Sequence, residues 1–284
     1  MKPTTRLRQL LASDKMVVAP FCLNALHARI AEAVDFDVVY MTGSGTSVER
    51  GYPDVGLITQ TEMVQNARYV TGAVSVPVIC DADTGYGNFI NVRRTIQEYE
   101  KAGVAGVHIE DQVFPKKCGF FKGKQVIPQE EAVQKIRAAL DARTDPDFVI
   151  IARCDAYAVN GWEDTVQRCR AYKETGADLV FVDGIKTVED MHRYAADLGD
   201  LSLMYNGDLL PTQDVEKLGY KIMLCGSTIW LVYRAVKEAF EELKTTGKVD
   251  PNRYATRLDV ANLMGLEEIY ELEAKYGATE VPVG

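Results

Sequence analysis

Eight short runs rich in β-branched and aromatic residues recur along the chain: MVVAPF (16–21), VVYMTG (38–43), VPVICDAD (76–83), GVHIED (106–111), FVIIARCDA (148–156), LVFVDG (179–184), LSLMYN (201–206) and KIMLCG (221–226). The segments between them, such as INVRRTIQEYEKAG and WEDTVQRCRAYKETG, place apolar residues three and four apart and end in glycine, as amphipathic helices do. Regular alternation of strand and helix predicts parallel strands covered by helices. Eight such units in about 250 residues match the size of a (β/α)8 barrel, the TIM-barrel form of the α/β class. The competing arrangement is an open doubly wound sheet, but its G-x-G-x-x-G turn is missing after the first strand.

No linker, composition shift or low-complexity tract divides the chain, so one domain is expected over 1–284, with a helical extension from about 250 to 284. After an eighth helix at about 227–246, TRLDVANLMGLEEIYELEAKYG predicts one more amphipathic helix that a barrel does not need. Its apolar face requires cover, which is expected from another subunit.

With 47% hydrophobic and 26% charged residues the composition is that of an ordinary globular protein, and a net charge of -9 argues against nucleic acid or an anionic membrane surface as partner. The N-terminal stretch lacks a signal-like apolar core. The longest apolar stretch elsewhere, IWLVYRAV, is far below the roughly 20 residues of a membrane span, so a cytoplasmic location is expected. Six cysteines without CxxC pairs indicate neither a disulfide framework nor a zinc site.

In such barrels chemistry gathers at the C-terminal ends of the strands. The polar residues fall there: Tyr40, Thr42, Gly43, Ser44 and Gly45 after strand two, Asp81 and Asp83 after three, Glu110 and Asp111 after four, Arg153 and Asp155 after five, Asp183 after six, Asn206 and Asp208 after seven. Alternation along a strand would point Asp81 and Asp83 the same way, with Glu110 beside them. Three carboxylates together need a shared cation or proton, and hard oxygen donors favour Mg2+, with Mn2+ as the alternative. Each aspartate could instead cap the helix that follows it. Arg153 would be costly if unpaired in so apolar a run, and either balances the carboxylates or grips a substrate carboxylate. TGSGTS offers backbone N–H groups to an anion.

The connection after strand four is about 17 residues long and carries FPKKCGFFKGKQ (114–125). Loops of this length often act as lids. Lys116, Lys117, Lys122 and Lys124 would draw in a di- or tricarboxylate, while Gly119 and Gly123 permit hinging. Cys118 stays open to three readings: a thiolate favoured by the flanking cations, a thiol that delivers a proton to a carbanion, or a plain surface cysteine.

DADTGYGN, HIEDQVFPKKCG, ARCDA and MTGSGTS through YPDVG resemble, in order and spacing from about residue 15 to 245, the isocitrate lyase/phosphoenolpyruvate mutase superfamily. The resemblance implies a (β/α)8 barrel with one Mg2+ at its mouth in a homotetramer of helix-swapped subunits. It makes Asp81 the direct metal ligand, with Asp54, Asp83 and Glu110 acting mainly through metal-bound waters. Ser44, Gly45 and Thr46 would meet the substrate, the first two holding a 2-oxo acid carboxylate by their backbone, with Arg153, Asp183 and Asn206 completing the pocket. Tyr40 and Lys116 would stand near the reacting centre, and Cys118 would be the lid acid.

Some positions depart from the family pattern. The lid reads KKCGF, with Phe120 where KKCGH or KRCGH is usual. MYNGDLLPT is shorter than NMVEGGKTP, and ARCDA and FVDG replace ARTDA and FVEG. The reading expected first is Mg2+-dependent cleavage of a carbon-carbon bond in a 2-hydroxy dicarboxylate such as a substituted malate. The alternatives are oxaloacetate decarboxylation or hydrolysis, phosphoenolpyruvate or phosphonopyruvate mutase or hydrolase chemistry, and a catalytically silent barrel that binds a 2-oxo acid.

Overall fold

The computed structural model describes residues 1–277, so the end of the expected C-terminal extension lies outside the described residues. All eight apolar runs form strands: β1 (Val17–Cys22), β2 (Val39–Met41), β3 (Val78–Asp81), β4 (Gly106–Glu110), β5 (Val149–Cys154), β6 (Leu179–Val182), β7 (Leu203–Asn206) and β8 (Ile222–Cys225). They pair in parallel in chain order, and β1 closes on β8 from Val17↔Ile222 to Pro20↔Cys225. The α/β fold is a closed (β/α)8 barrel.

Two-residue periodicity sorts each strand between two cores. Tyr40, Ile79, Val149, Ile151, Leu179 and Phe181 fill the barrel interior, whereas Met41, Cys80, Val107, Ile150 and Val180 face the helices. Each fully buried aliphatic side chain contributes about 1.5–3 kcal/mol. The same alternation carries Asp81 in step with Ile79, and Arg153 in step with Ile151, to the inner face at the strand ends. A helix at Pro3–Ala12, not foreseen from the pattern, buries Leu7 in the interior cluster with Val17 and Val149, which begin their strands at the end opposite the mouth. The helices behind the mouth start from defined caps: Thr59 with Glu62, and Asn88 with Asn91, each satisfy orphan N–H groups reciprocally.

The chain divides into two compact units, Met1–Ile229 and a second beginning at Trp230, earlier than the extension expected at about 250. The second contains most of the helix Thr228–Thr246, a short turn at Pro251–Arg253, and the helices Arg257–Leu263 and Leu266–Tyr276. Arg253 ties the turn to Glu238 (3.0 Å) and Glu242 (3.1 Å). The single C-terminal amphipathic helix expected from the sequence is therefore two. Gly265, at φ +90°, takes a left-handed conformation that a continuous helix cannot contain. Among the described residues no helix is long and apolar enough to cross a membrane.

Candidate active site

Asp81, Glu110, Arg153 and Asp183 come together, all buried, at the strand ends. Register explains part of this: Asp81 lies opposite His108, and Glu110 opposite Arg153. Asp83 arrives differently from the expectation that strand alternation would aim it. β3 ends at Asp81, and Asp83 has φ +47°, a left-handed backbone in which its own N–H donates to Asp81 Oδ1 at 2.9 Å. Its carbonyl accepts the Glu110 N–H at 2.9 Å, tying the turn to the next strand. A non-glycine residue held there is strained, a feature that concentrates at working sites. Gly43 approaches from the neighbouring turn and donates its N–H to Asp81 Oδ2 at 3.3 Å; a Cβ at that position would lie 2.6 Å from the same oxygen.

Six buried carboxylates (Asp54, Asp81, Asp83, Glu110, Asp155 and Asp183) face three cationic side chains, Lys116, Lys124 and Arg153. Arg153 is shared: Nε donates to Asp155 Oδ2 at 2.8 Å, and Nη2 stands 3.2 Å from both Glu110 Oε2 and Asp183 Oδ2. Acid therefore outnumbers base. Burial pushes Asp83 up to about 6, reinforced by Asp81 and Asp54 against the pull of Lys116. Burial likewise holds Glu110 well above the usual carboxylate range despite Arg153 and Lys116. Asp81 goes the other way: burial raises it, but His108, Lys116, Arg153 and the Asp83 N–H outweigh burial.

This donor set fits a hard divalent cation. Glu110 Oε1 is buried with no polar partner, Glu110 Oε2 and Asp83 Oδ1 have only the ion-pair approaches of Arg153 (3.2 Å) and Lys116 (2.9 Å), and the surplus negative charge matches what such an ion supplies. Among the described residues no three His, Cys, Asp or Glu side chains are close enough to ligate one ion directly.

The connection 111–128 lies down over this cluster. Of its four lysines, only Lys117 and Lys122 face outward to any degree. Lys116 Nζ reaches Asp54 Oδ1 (2.6 Å) and Asp83 Oδ1 (2.9 Å), and Lys124 Nζ reaches Asp155 Oδ1 (3.0 Å). Half of the positive charge expected to attract substrate is thus consumed by the protein's own acids. With those lysines engaged, Cys118 does not become a thiolate. Burial raises its thiol above the ordinary value, the Phe120 N–H lowers it, and Asp54 and Asp183 raise it again. Phe120, which stands where the family pattern has histidine, is 55% exposed.

The turn after β2 forms a short helix, Gly43–Glu49, capped by Thr42, whose side chain accepts the Gly45 N–H at 3.3 Å. Thr46, expected at the substrate, is fully buried. Its hydroxyl donates to Thr42 O (2.8 Å) and accepts from Asn66 Nδ2 (3.0 Å), so it holds the turn instead. Ser44 is partly exposed at the start of that helix. Asn206 bonds Asp183 through its side chain. Asp111 is structural, accepting from the Asp155 N–H (2.7 Å) and Tyr172 (2.7 Å) and pairing with Arg168 (3.2 Å). His108 was missed by the sequence reading. It is completely buried, 2.8 Å from the Tyr40 hydroxyl and 3.6 Å from Asp81 Oδ1, and only its place two residues before Glu110 on the same strand face hinted at it.

Known proteins resemble this chain in sequence and fold. A family model described as phosphoenolpyruvate phosphomutase matches residues 7–244. The 2,3-dimethylmalate lyase of Eubacterium barkeri is 43% identical over 287 aligned positions, covering 97% of this chain and 99% of that protein. Oxaloacetate acetylhydrolase, solved with the inhibitor 3,3-difluorooxalacetate, superposes with a TM-score of 0.93 at 32% identity, covering 99% of this chain and 100% of that one. Phosphonopyruvate hydrolase, solved with oxalate and Mg2+, gives a TM-score of 0.89 at 29% identity, covering 97% and 99%. Matches of this length and identity leave one assignment: the chain belongs to the phosphoenolpyruvate mutase/isocitrate lyase superfamily and is one of its enzymes.

Proposed function

We propose that the protein cleaves the C2–C3 bond of a 2-hydroxy dicarboxylate of the substituted-malate type, giving a 2-oxo acid and a carboxylic acid. The observation that carries this reading is Cys118, a partly buried thiol kept protonated and delivered by the lid beside the acid cluster. A bound Mg2+ or Mn2+, held by Asp81 with Asp83 and Glu110, would supply the positive charge that favours an oxyanion at C2. Ser44, Gly45 and Arg153 orient the substrate carboxylate, with Asp183 and Asn206 fixing the guanidinium from behind. Tyr40, through His108, fixes Asp81. The 2-hydroxyl proton passes to the carboxylate cluster as the carbon-carbon bond breaks. The electron pair moves onto the departing carboxylate fragment, and the Sγ proton of Cys118 then goes to its carbon. Closing the lid excludes water from that carbanion. The identity to 2,3-dimethylmalate lyase supports this choice.

A second reading, hydrolysis of oxaloacetate, is favoured by the likeness to oxaloacetate acetylhydrolase, whose inhibitor is itself an oxaloacetate. Incubating the Mg2+-loaded protein with 2-methylmalate, 2,3-dimethylmalate, 2-methylisocitrate, isocitrate, oxaloacetate and phosphonopyruvate, and reading products by NMR, separates the two. Pyruvate plus a simple carboxylic acid from a substituted malate supports the lyase; turnover of oxaloacetate alone replaces it with the hydrolase or decarboxylase.

The assembly we propose is a homotetramer of helix-swapped subunits in the cytoplasm. Trp230, Tyr233 and Phe240, on the helix Thr228–Thr246, are each about two-thirds exposed, apolar surface that a second copy would cover. Light scattering on the purified chain tests this, and a monomer at micromolar concentration sinks it.

A further inference from the structure

Two of the lid's four lysines are buried, and they stand towards its two ends. Lys116 Nζ bridges Asp54 Oδ1 (2.6 Å) and Asp83 Oδ1 (2.9 Å). Lys124 Nζ bridges Asp155 Oδ1 (3.0 Å) and Asp183 Oδ2 (3.9 Å). Between them the Cys118 N–H donates to the Asp54 carbonyl at 2.9 Å, and Gln112 brackets Lys117, accepting its N–H at 2.9 Å and donating to its carbonyl at 2.8 Å. Asp54 meets the lid twice, by carboxylate and by carbonyl, and among the described residues it makes no polar contact with any strand end.

We propose that Lys116 with Asp54, and Lys124 with Asp155, are two clasps that hold the lid shut. Asp54, which meets the lid by carboxylate and by carbonyl, is then a positioning residue for Cys118. An ammonium removed from water loses several kcal/mol of hydration, which is recovered only while its carboxylate partner is in place. Because these lysines sit on a loop, losing the partner has a low-cost relief: the loop lifts and the ammonium is rehydrated. Each clasp therefore sets the fraction of time Cys118 spends over the site. The inference takes from the lyase reading only that Cys118 is what the lid delivers, and its test does not depend on turnover.

The test is labelling of the full-length protein by iodoacetamide, followed at the Cys118 peptide by mass spectrometry. Asp54→Asn and Lys124→Met are expected to raise the labelling rate at least ~10-fold at wild-type melting temperature. Lys122→Met, at the exposed lysine of the same loop, keeps the wild-type rate. Asp54→Asn also removes a charge that raises the thiol's pKa, so Lys124→Met is the cleaner variant. Wild-type labelling rates in Asp54→Asn and Lys124→Met overturn the proposal. If Asp54→Asn fails to fold, Lys116→Gln and Lys124→Met carry the test, and unchanged labelling in both overturns it. Silence across the substrate panel would sink the lyase reading and leave the labelling result standing.

Discussion

The hydroxyl of Tyr40 lies 2.8 Å from Nε2 of His108 inside the barrel, and Nδ1 of the same ring faces Asp81 Oδ1 at 3.6 Å. Burial pushes His108 down to about 4 against the pull of Asp81, so the ring is neutral near pH 7 and carries one proton. Burial also lifts the Tyr40 phenol well above its ordinary value, so it keeps its own. Tyr40 then donates to Nε2, and the ring proton sits on Nδ1 toward the carboxylate, the tautomer in which the charges agree. His108→Phe keeps an aromatic ring beside Phe181 and Tyr40 but strands the Tyr40 hydroxyl. We expect a loss of about 1–3 kcal/mol in denaturant unfolding. The double variant with Tyr40→Phe should recover part of it, because both polar groups then vanish together.

Cys118 acts as an acid only if it is a thiol when the lid closes. Its raised pKa, set first by burial and then by Asp54 and Asp183 against the Phe120 N–H and Arg153, meets that condition at neutral pH. On whichever substituted malate is cleaved, Cys118→Ala should lower kcat by ~10²–10⁴ with KM little changed. The wild-type kcat profile should show no falling limb from this group between neutral pH and the ordinary thiol value of about 8.5. Steady-state kinetics across that range check both, and an unimpaired alanine variant removes Cys118 from the mechanism.

The barrel was legible because parallel strands covered on both faces read as near-continuous apolar runs, and period two then fixes which polar residue faces the mouth. That logic places Asp81, Glu110 and Arg153. It fails at Asp83, because nothing in DADTG announces a left-handed aspartate. Gly265 within NLMGLEE is a stop signal that the apolar spacing on either side of it conceals. The fates of Lys116 and Lys122 could not be separated, since the two are alike in type and loop. What distinguishes them is Asp54, 62 positions from Lys116 in the chain. His108 was invisible for a similar reason: a histidine inside an apolar strand reads as core, and its partners Tyr40 and Asp81 come from other strands.

The acid cluster predicts a pH-dependent response to metal. The Asp83 carboxyl has a folded pKa of about 6, above its ordinary 3.8, so between those values the folded state binds more protons than the unfolded state. Stability from this group is therefore present below about pH 4 and lost as pH rises through about 6. Glu110, also raised, acts in the same direction. A divalent cation replaces those protons and stabilises by RT ln(1 + [M]/Kd). The rise in melting temperature on adding Mg2+ after EDTA treatment should be small below about pH 4 and grow as pH rises through about 6. Comparing with and without metal at each pH removes the part of the His108 contribution common to both states, which works in the opposite sense because its pKa is depressed. A response that is flat across this range would mean these carboxylates are not where the ion binds.

Gly119 and Gly123 look equivalent as hinges, yet the structure requires glycine for different reasons. Gly123 has φ +77°, and a Cβ there would meet only the end of the Lys117 side chain, at 3.0 Å. Alanine at 123 therefore costs about 1–2 kcal/mol of backbone strain and nothing in space. Gly119 has no left-handed backbone, but a Cβ on it would overlap Asp183 Oδ2. Asp183 cannot easily swing away, because Arg153 (3.2 Å), Lys124 (3.9 Å) and Asn206 hold it. Gly119→Ala should thus leave an open lid comfortable and the closed one unreachable. We expect melting temperature close to wild type and kcat reduced by at least ~10², the cost of misplacing a catalytic group by about an ångström. Gly123→Ala should lose much less, since strain in the loop does not prevent contact with Asp183. If instead Gly119→Ala turned over at the wild-type rate, the closed lid seen here would not be the form in which the reaction occurs.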